Sequence, residues 1–193
     1  MIHVELQPEP PDFDAKVRQP GLAELGAPEG ELRPHWHRCA LQLWGAYRGV
    51  CAYSSLYIPR GTGARSVDHL LPKSKRRALT YEWSNYRLAC VRMNSRKNDL
   101  EDVLDPFEVQ DGWFALELST LQVIPGDGLP ADLRQRVQYT IDRLDLNDDE
   151  FIQAREAHYD AFRNGDVQFR HLRKHCPFLA MELIRQGIVS PEA

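Results

Sequence analysis

The stretch that most constrains this chain runs from Ser66 to Asp99, SVDHLLPKSKRRALTYEWSNYRLACVRMNSRKND. It sets an Asp-His pair, Asp68 and His69, ahead of two asparagines, Asn85 and Asn94, with Asn98 one helical turn further on. Fifteen residues separate His69 from Asn85, eight separate Asn85 from Asn94, and three separate Asn94 from Asn98. An oxygen donor beside a histidine, a polar hook and a second oxygen donor on a helix form the set that one divalent metal and one general base need to cleave a phosphodiester. Each of these residues alone could serve a turn or a cap. Together, on one strand-loop-helix segment, they argue for a site.

The roles follow from the chemistry of each side chain. A neutral imidazole near pH 7 accepts a proton from water, which makes His69 the candidate base. Asp68 supplies an anionic oxygen and Asn94 a neutral carbonyl oxygen, hard donors that favour one Mg²⁺ or Mn²⁺ ion over zinc. Asn85 falls near the start of the expected helix, where it suits a hydrogen bond to the loop carrying His69. Asn98, four residues beyond Asn94, is expected on the same helix face as a third ligand or as the holder of a metal-bound water.

Charge is segregated around this stretch. The net charge is −4, yet Arg60 to Lys97 holds ten Lys/Arg against two Asp/Glu, leaving the remainder of the chain at −12. A basic island on the motif reads as a phosphate-binding face for DNA, with Lys73, Lys75, Arg76 and Arg77 foremost and Arg96 and Lys97 next. The plainer alternative is that these charges solvate a long loop. The acidic remainder either limits indiscriminate binding or meets a protein partner.

The 193 residues suit one domain with appendages, and no apolar run approaches a membrane span, so no membrane association is expected. The N-terminus MIHVELQPEPPDF lacks the features of a secretory signal, and four scattered cysteines suit free thiols in a cytoplasm. Six of thirteen prolines fall within residues 1–34, which read as an extended arm or irregular cover. Residues 35–48 carry Trp36, Ala40, Leu43, Trp44 and Tyr47 at helical spacing, and His35 and His37 at the helix start suit surface or capping positions. A short β segment from Gly49, a second strand at Ser66–His69 and a helix over 84–98 then form a ββα unit, with Leu88, Val91 and Tyr86 facing inward. Beyond residue 105 the pattern predicts a hairpin over 113–124, helices over 131–144 and 148–162, and a last helical stretch over 167–187 broken near Pro177. The class is α+β: an arm (1–34), a ββα core (35–105), and a hairpin with a helical extension (106–193).

The motif D-H-x15-N-x8-N-x3-N, with WSNYRLAC and MNSRKND, resembles that of HNH (ββα-metal) endonucleases. The resemblance covers about 35 residues, and asparagine at position 94 is similar to the H-N-N variants of that family. It implies a DNA-cutting enzyme with His69 as base, Asp68 and Asn94 as ligands of one cation and Asn85 as a positioning residue; Asn98 falls where the family varies. Many relatives add two C-x-x-C pairs that bind zinc. Here those places read Cys51-Ala-Tyr-Ser54 and Cys90-Val-Arg-Met93, so no structural zinc is expected and the two cysteines should be small buried residues. His171, His175 and Cys176 lack a partnering C-x-x-C and are not expected to form one either. The run Thr140 to Arg155 resembles the helical tail of HNH nucleases that accompany ATPases in bacterial phage-defence systems, which implies a protein partner of that kind. The competing reading is a catalytically silent HNH-like module that binds DNA or protein.

Overall fold

The computed structural model describes residues 1–25 and 32–192 and divides into two compact units. One comprises Glu5–Cys51 and Ile58–Asp102; the other comprises Met1–Val4, Ala52–Tyr57 and the chain from Val103 onward. The class is mixed α+β, with two small antiparallel sheets, as expected.

In the first unit residues 13–25 of the N-terminal arm are helical. A π-helical turn, Asp14–Arg18, runs into α1, Gln19–Leu25, and buries Phe13 and Val17 completely. Over these residues this corrects the expected extended arm or irregular cover, while residues 1–10 carry no helix or strand. Its prolines punctuate the helix rather than exclude it, because two apolar side chains one turn apart find a core to enter. Gly21 is where α1 meets that core: a Cβ there would stand 2.2 Å from Tyr81 Cγ, so only glycine permits the approach. Residues 26–31, with Pro28, lie outside the described residues. A 3-10 turn, His35–Cys39, leads into α2, Ala40–Ala46, which buries Leu43. His35 is buried rather than superficial, its Nε2 2.9 Å from Glu24 Oε1.

Strand β1, Arg65–His69, pairs antiparallel with β2, Tyr86–Cys90, placing Asp68 opposite Arg87 and His69 opposite Tyr86. Helix α3, Val91–Lys97, follows β2 directly. Of the ββα unit the periodicity suggested, the strand at Ser66–His69 stands, the helix is confined to Val91–Lys97 and the partner strand is a different one. No strand runs from Gly49, where a turn is closed by the Ile58 N–H on Gly49 O at 2.7 Å. Residues 86–90, expected as helix, are the second strand. Tyr86 and Leu88 are buried as expected, but Val91 is exposed. The segment Tyr86-Arg-Leu-Ala-Cys fits both a period of two and an i, i+3 spacing, and the unpaired edge of β1 decides between them.

In the second unit the hairpin is β3, Phe114–Glu117, with β4, Gln122–Pro125. Helices α4, Ala131–Leu144, and α5, Asp149–Arg163, meet at Asp148, whose side chain caps α5 by accepting from Glu150 N. Then come α6, Phe169–His175, and α7, Pro177–Arg185, divided at Pro177. Two buried charged groups are engaged: Arg155 donates to Leu121 O and Leu146 O, and Glu182 accepts from Leu116 N. No helix among the described residues is long and apolar enough to cross a membrane.

Candidate functional site

A cleft of about 730 Å³ opens in the first unit, and Asp68, His69, Asn94 and Asn98 all line it. Strand β1 brings Ser66, Asp68 and His69 to one wall, and α3 brings Asn94. Asn94 Nδ2 donates to Ser66 Oγ at 2.6 Å, which leaves Oδ1 as the amide atom available to a cation. Two residues that the motif did not flag complete the opposite side, Trp36 and His37 of the 3-10 turn. Nothing in the spacing of the motif could announce them, since they lie about 30 residues upstream.

The imidazole of His69 is fixed on three sides. Its Nε2 donates to the Thr80 carbonyl at 2.9 Å, so a neutral ring carries its lone pair on Nδ1. The Trp36 ring lies 4.8 Å from it, centroid to centroid, and the Tyr86 ring 5.1 Å, both near perpendicular. Tyr86 shares the same Thr80 carbonyl at 2.8 Å, and burial drives its phenol well above the ordinary tyrosine range. Burial among these rings, followed by the positive charges of Lys73 and Lys97, pulls the His69 pKa down to about 4. The ring is therefore neutral at pH 7.

The sign of this shift gives a testable stability effect. The unfolded chain takes up a proton at about 6.5 and the folded ring only near 4, so unfolding binds protons between those values. The contribution is fully present above pH 6.5 and falls away as pH drops toward 4, by roughly 3 kcal/mol in all. Urea titrations across that window should show a shallower acid loss in His69→Gln than in the parent. Equal slopes would contradict a neutral buried imidazole.

Asn85 lies at the end of a 3-10 turn ahead of β2, not on a helix, and its amide is fully used. Oδ1 accepts from Leu71 N at 2.8 Å, while Nδ2 donates to Leu71 O at 3.0 Å and Leu79 O at 3.1 Å. These bonds draw together both ends of the loop between β1 and β2. The Thr80 carbonyl that holds His69 directly follows one of them.

Two candidate residues stand differently from expectation. Lys97, expected to meet phosphate, is 0 % exposed. Its ammonium donates to the His69 carbonyl at 2.6 Å and lies 3.5 Å from Asp68 Oδ1, so it cannot reach a ligand at the surface. Asn98 is not on the helix face: it is the residue after α3, with φ +42°, and its Nδ2 is 3.4 Å from Asp99 Oδ1 at the rim of the cleft. Arg96 is half-buried. Lys73, Lys75, Arg76 and Arg77 are all exposed. Lys73 and Arg77 line the cleft, Lys73 sitting over the Trp36 ring at 5.5 Å, whereas Lys75 and Arg76 both lean toward Glu101 at 3.5 and 3.7 Å.

The donor chemistry suits a hard cation. Asp68 and the Asn94 amide offer oxygen only, and such a pair leaves most of the shell to water and phosphate, as Mg²⁺ prefers. No three His, Cys, Asp or Glu side chains among the described residues are arranged as a ready metal cage. Of Cys51 and Cys90, both expected to be small buried residues, Cys51 is buried and Cys90 half-buried; the Cys90 N–H lies 3.4 Å from Cys51 Sγ, and contact with Cys51 together with burial raises the Cys90 thiol pKa. No protein-family model matches the chain, and no curated protein matches it.

Proposed function

We propose that this protein is a metal-dependent endonuclease of the HNH (ββα-metal) type that hydrolyses DNA phosphodiester bonds. The observation that carries the reading is the convergence of Asp68, His69 and Asn94 on one cleft, with the ring anchored through Nε2 so that Nδ1 is the basic atom. The order of elements supports it too: β1 carries Asp68 and His69, a loop crosses to β2, and α3 returns Asn94 to β1.

In this mechanism His69 Nδ1 takes the proton of the attacking water. Thr80 O holds the ring at the far nitrogen and stabilises the imidazolium that results. Asn85 acts as a positioning residue by fixing the loop that presents Thr80. One Mg²⁺ or Mn²⁺ ion, held through Asp68 and Asn94, would supply neutralisation of charge on the phosphate and the leaving 3′ oxygen. Lys73 and Arg77 on the cleft wall, with Lys75 and Arg76 beside them, offer the charges that seat a nucleic-acid backbone.

Incubation with supercoiled plasmid and Mg²⁺ or Mn²⁺, wild type beside His69→Ala, tests the assignment, and RNA in the same buffer tests the choice of nucleic acid. The two halves of the basic loop should also separate. Lys73→Ala/Arg77→Ala should weaken DNA binding more than Lys75→Ala/Arg76→Ala, because Lys73 and Arg77 line the cleft whereas Lys75 and Arg76 lean away toward Glu101. Removing one lysine or arginine that neutralises a phosphate should flatten the log–log salt dependence by about one unit. Identical isotherms for all variants would reduce the island to solvation.

One observation favours the second reading, a silent module that binds DNA or a protein. The Lys97 ammonium beside Asp68 already balances the carboxylate that a cation would need. Absence of cleavage by the wild type under every metal, with DNA affinity retained, would select that reading. The resemblance of the run Thr140 to Arg155 to tails of ATPase-associated defence nucleases supports a role as effector of a bacterial anti-phage complex, with an ATPase as partner.

A further inference from the structure

The second unit holds another group of chemistry-bearing side chains, made without the cleft. Helix α5 carries His158, and α6 carries His171 and His175 at i, i+4. His171 Nε2 stands 3.2 Å from His158 Nδ1. The ring centroids lie 4.3 Å apart for His171 and His175, 5.2 Å for His158 and His171, and 6.0 Å for His158 and His175. Two imidazole nitrogens on one tetrahedral zinc, each ~2.0–2.1 Å from the metal, sit about 3.3 Å from one another. The His158–His171 spacing is already that of a ligand pair.

The surroundings suit ligation. All three rings are half-buried, with a side open to solvent. Cys176, the donor that the sequence set beside His171 and His175, is buried, and His158 stands with the pair instead.

We propose that His158, His171 and His175 bind one borderline divalent cation, zinc in the first instance, which ties α5 to α6. As they stand the rings stack rather than close a cage on one point. Closing it turns the His175 side chain, whose ring packs against Tyr57 at 4.6 Å and makes no hydrogen bond among the described residues. A donor set of three imidazoles and no carboxylate selects Zn²⁺ or Co²⁺ over Mg²⁺ or Mn²⁺, so this site is chemically separate from the oxygen-lined cleft.

The test is a Co²⁺ titration of metal-stripped full-length protein carrying His69→Ala, which removes the imidazole of the cleft. One equivalent should produce the visible absorption of four-coordinate cobalt, be displaced by Zn²⁺ and be unaffected by millimolar Mg²⁺. His158→Gln and His171→Gln, each checked by circular dichroism, should weaken binding beyond the ~10–100-fold typical of losing only an outer-shell partner; if either fails to fold, His175→Gln takes its place. No stoichiometric cobalt band from folded protein, or a band that survives these substitutions, overturns the proposal.

Discussion

Plasmid cleavage by His69→Ala should fall at least ~10²-fold, within the range expected for loss of a general base, while affinity for DNA stays within about twofold of wild type. The split between the two readouts follows from the position of the ring. His69 is 7 % exposed, set back against Trp36 and Tyr86, whereas the charges that grip a backbone sit on the loop outside it. Removing the ring therefore takes away the proton acceptor and leaves the phosphate contacts standing. His69→Gln, which keeps an amide able to reach Thr80 O, guards against a mere packing defect. The acid limb of the wild-type rate should follow the depressed pKa near 4 rather than 6.5, because protonation of the free ring is what removes the base. Unchanged cleavage in both variants would remove His69 from the chemistry.

The largest stability effect is expected at Lys97. Its ammonium is fully buried against the Asp68 carboxylate and the His69 carbonyl. Lys97→Met leaves Asp68, 1 % exposed, without that counter-charge, a type of change that costs about 3–5 kcal/mol. For a chain of this length that corresponds to a fall in Tm on the order of 10 °C. Adding Asp68→Asn should restore most of the loss, since removing both charges also removes the cost of burying one alone. Thermal unfolding of the two single variants and the double variant decides the matter. Additive losses would mean that the lysine and the carboxylate do not depend on each other. Metal binding links to the same pair: if Asp68 holds a cation, Mg²⁺ should stabilise wild type more than Asp68→Asn.

Much of the architecture was legible from the chain. The hairpin at 114–125, the two helices meeting at Asp148 and the break at Pro177 stand where periodicity, a capping aspartate and a proline put them, because those signals act locally. The first unit was less legible. Proline content argued for an open arm, yet Phe13, Val17 and Gly21 fit a helix against the core, and such a fit exists only once Tyr81, Trp83 and Tyr86 are in place. Residues 86–90 carried two periods at once, and pairing with β1 chose the strand.

By itself the sequence determined which residue types stand in the motif, their offsets, the basic island and the class of fold, since spacing and composition are properties of the chain alone. Only the tertiary structure decided which of those residues face a ligand. Lys97 and Arg96 are neighbours in a basic run, but a helix turns successive side chains about 100° apart, so the former is swallowed between α3 and β1 while the latter stays half-buried. The same geometry brought Trp36 and His37 to the cleft and His158 to His171, contacts between distant segments that no spacing within either one encodes.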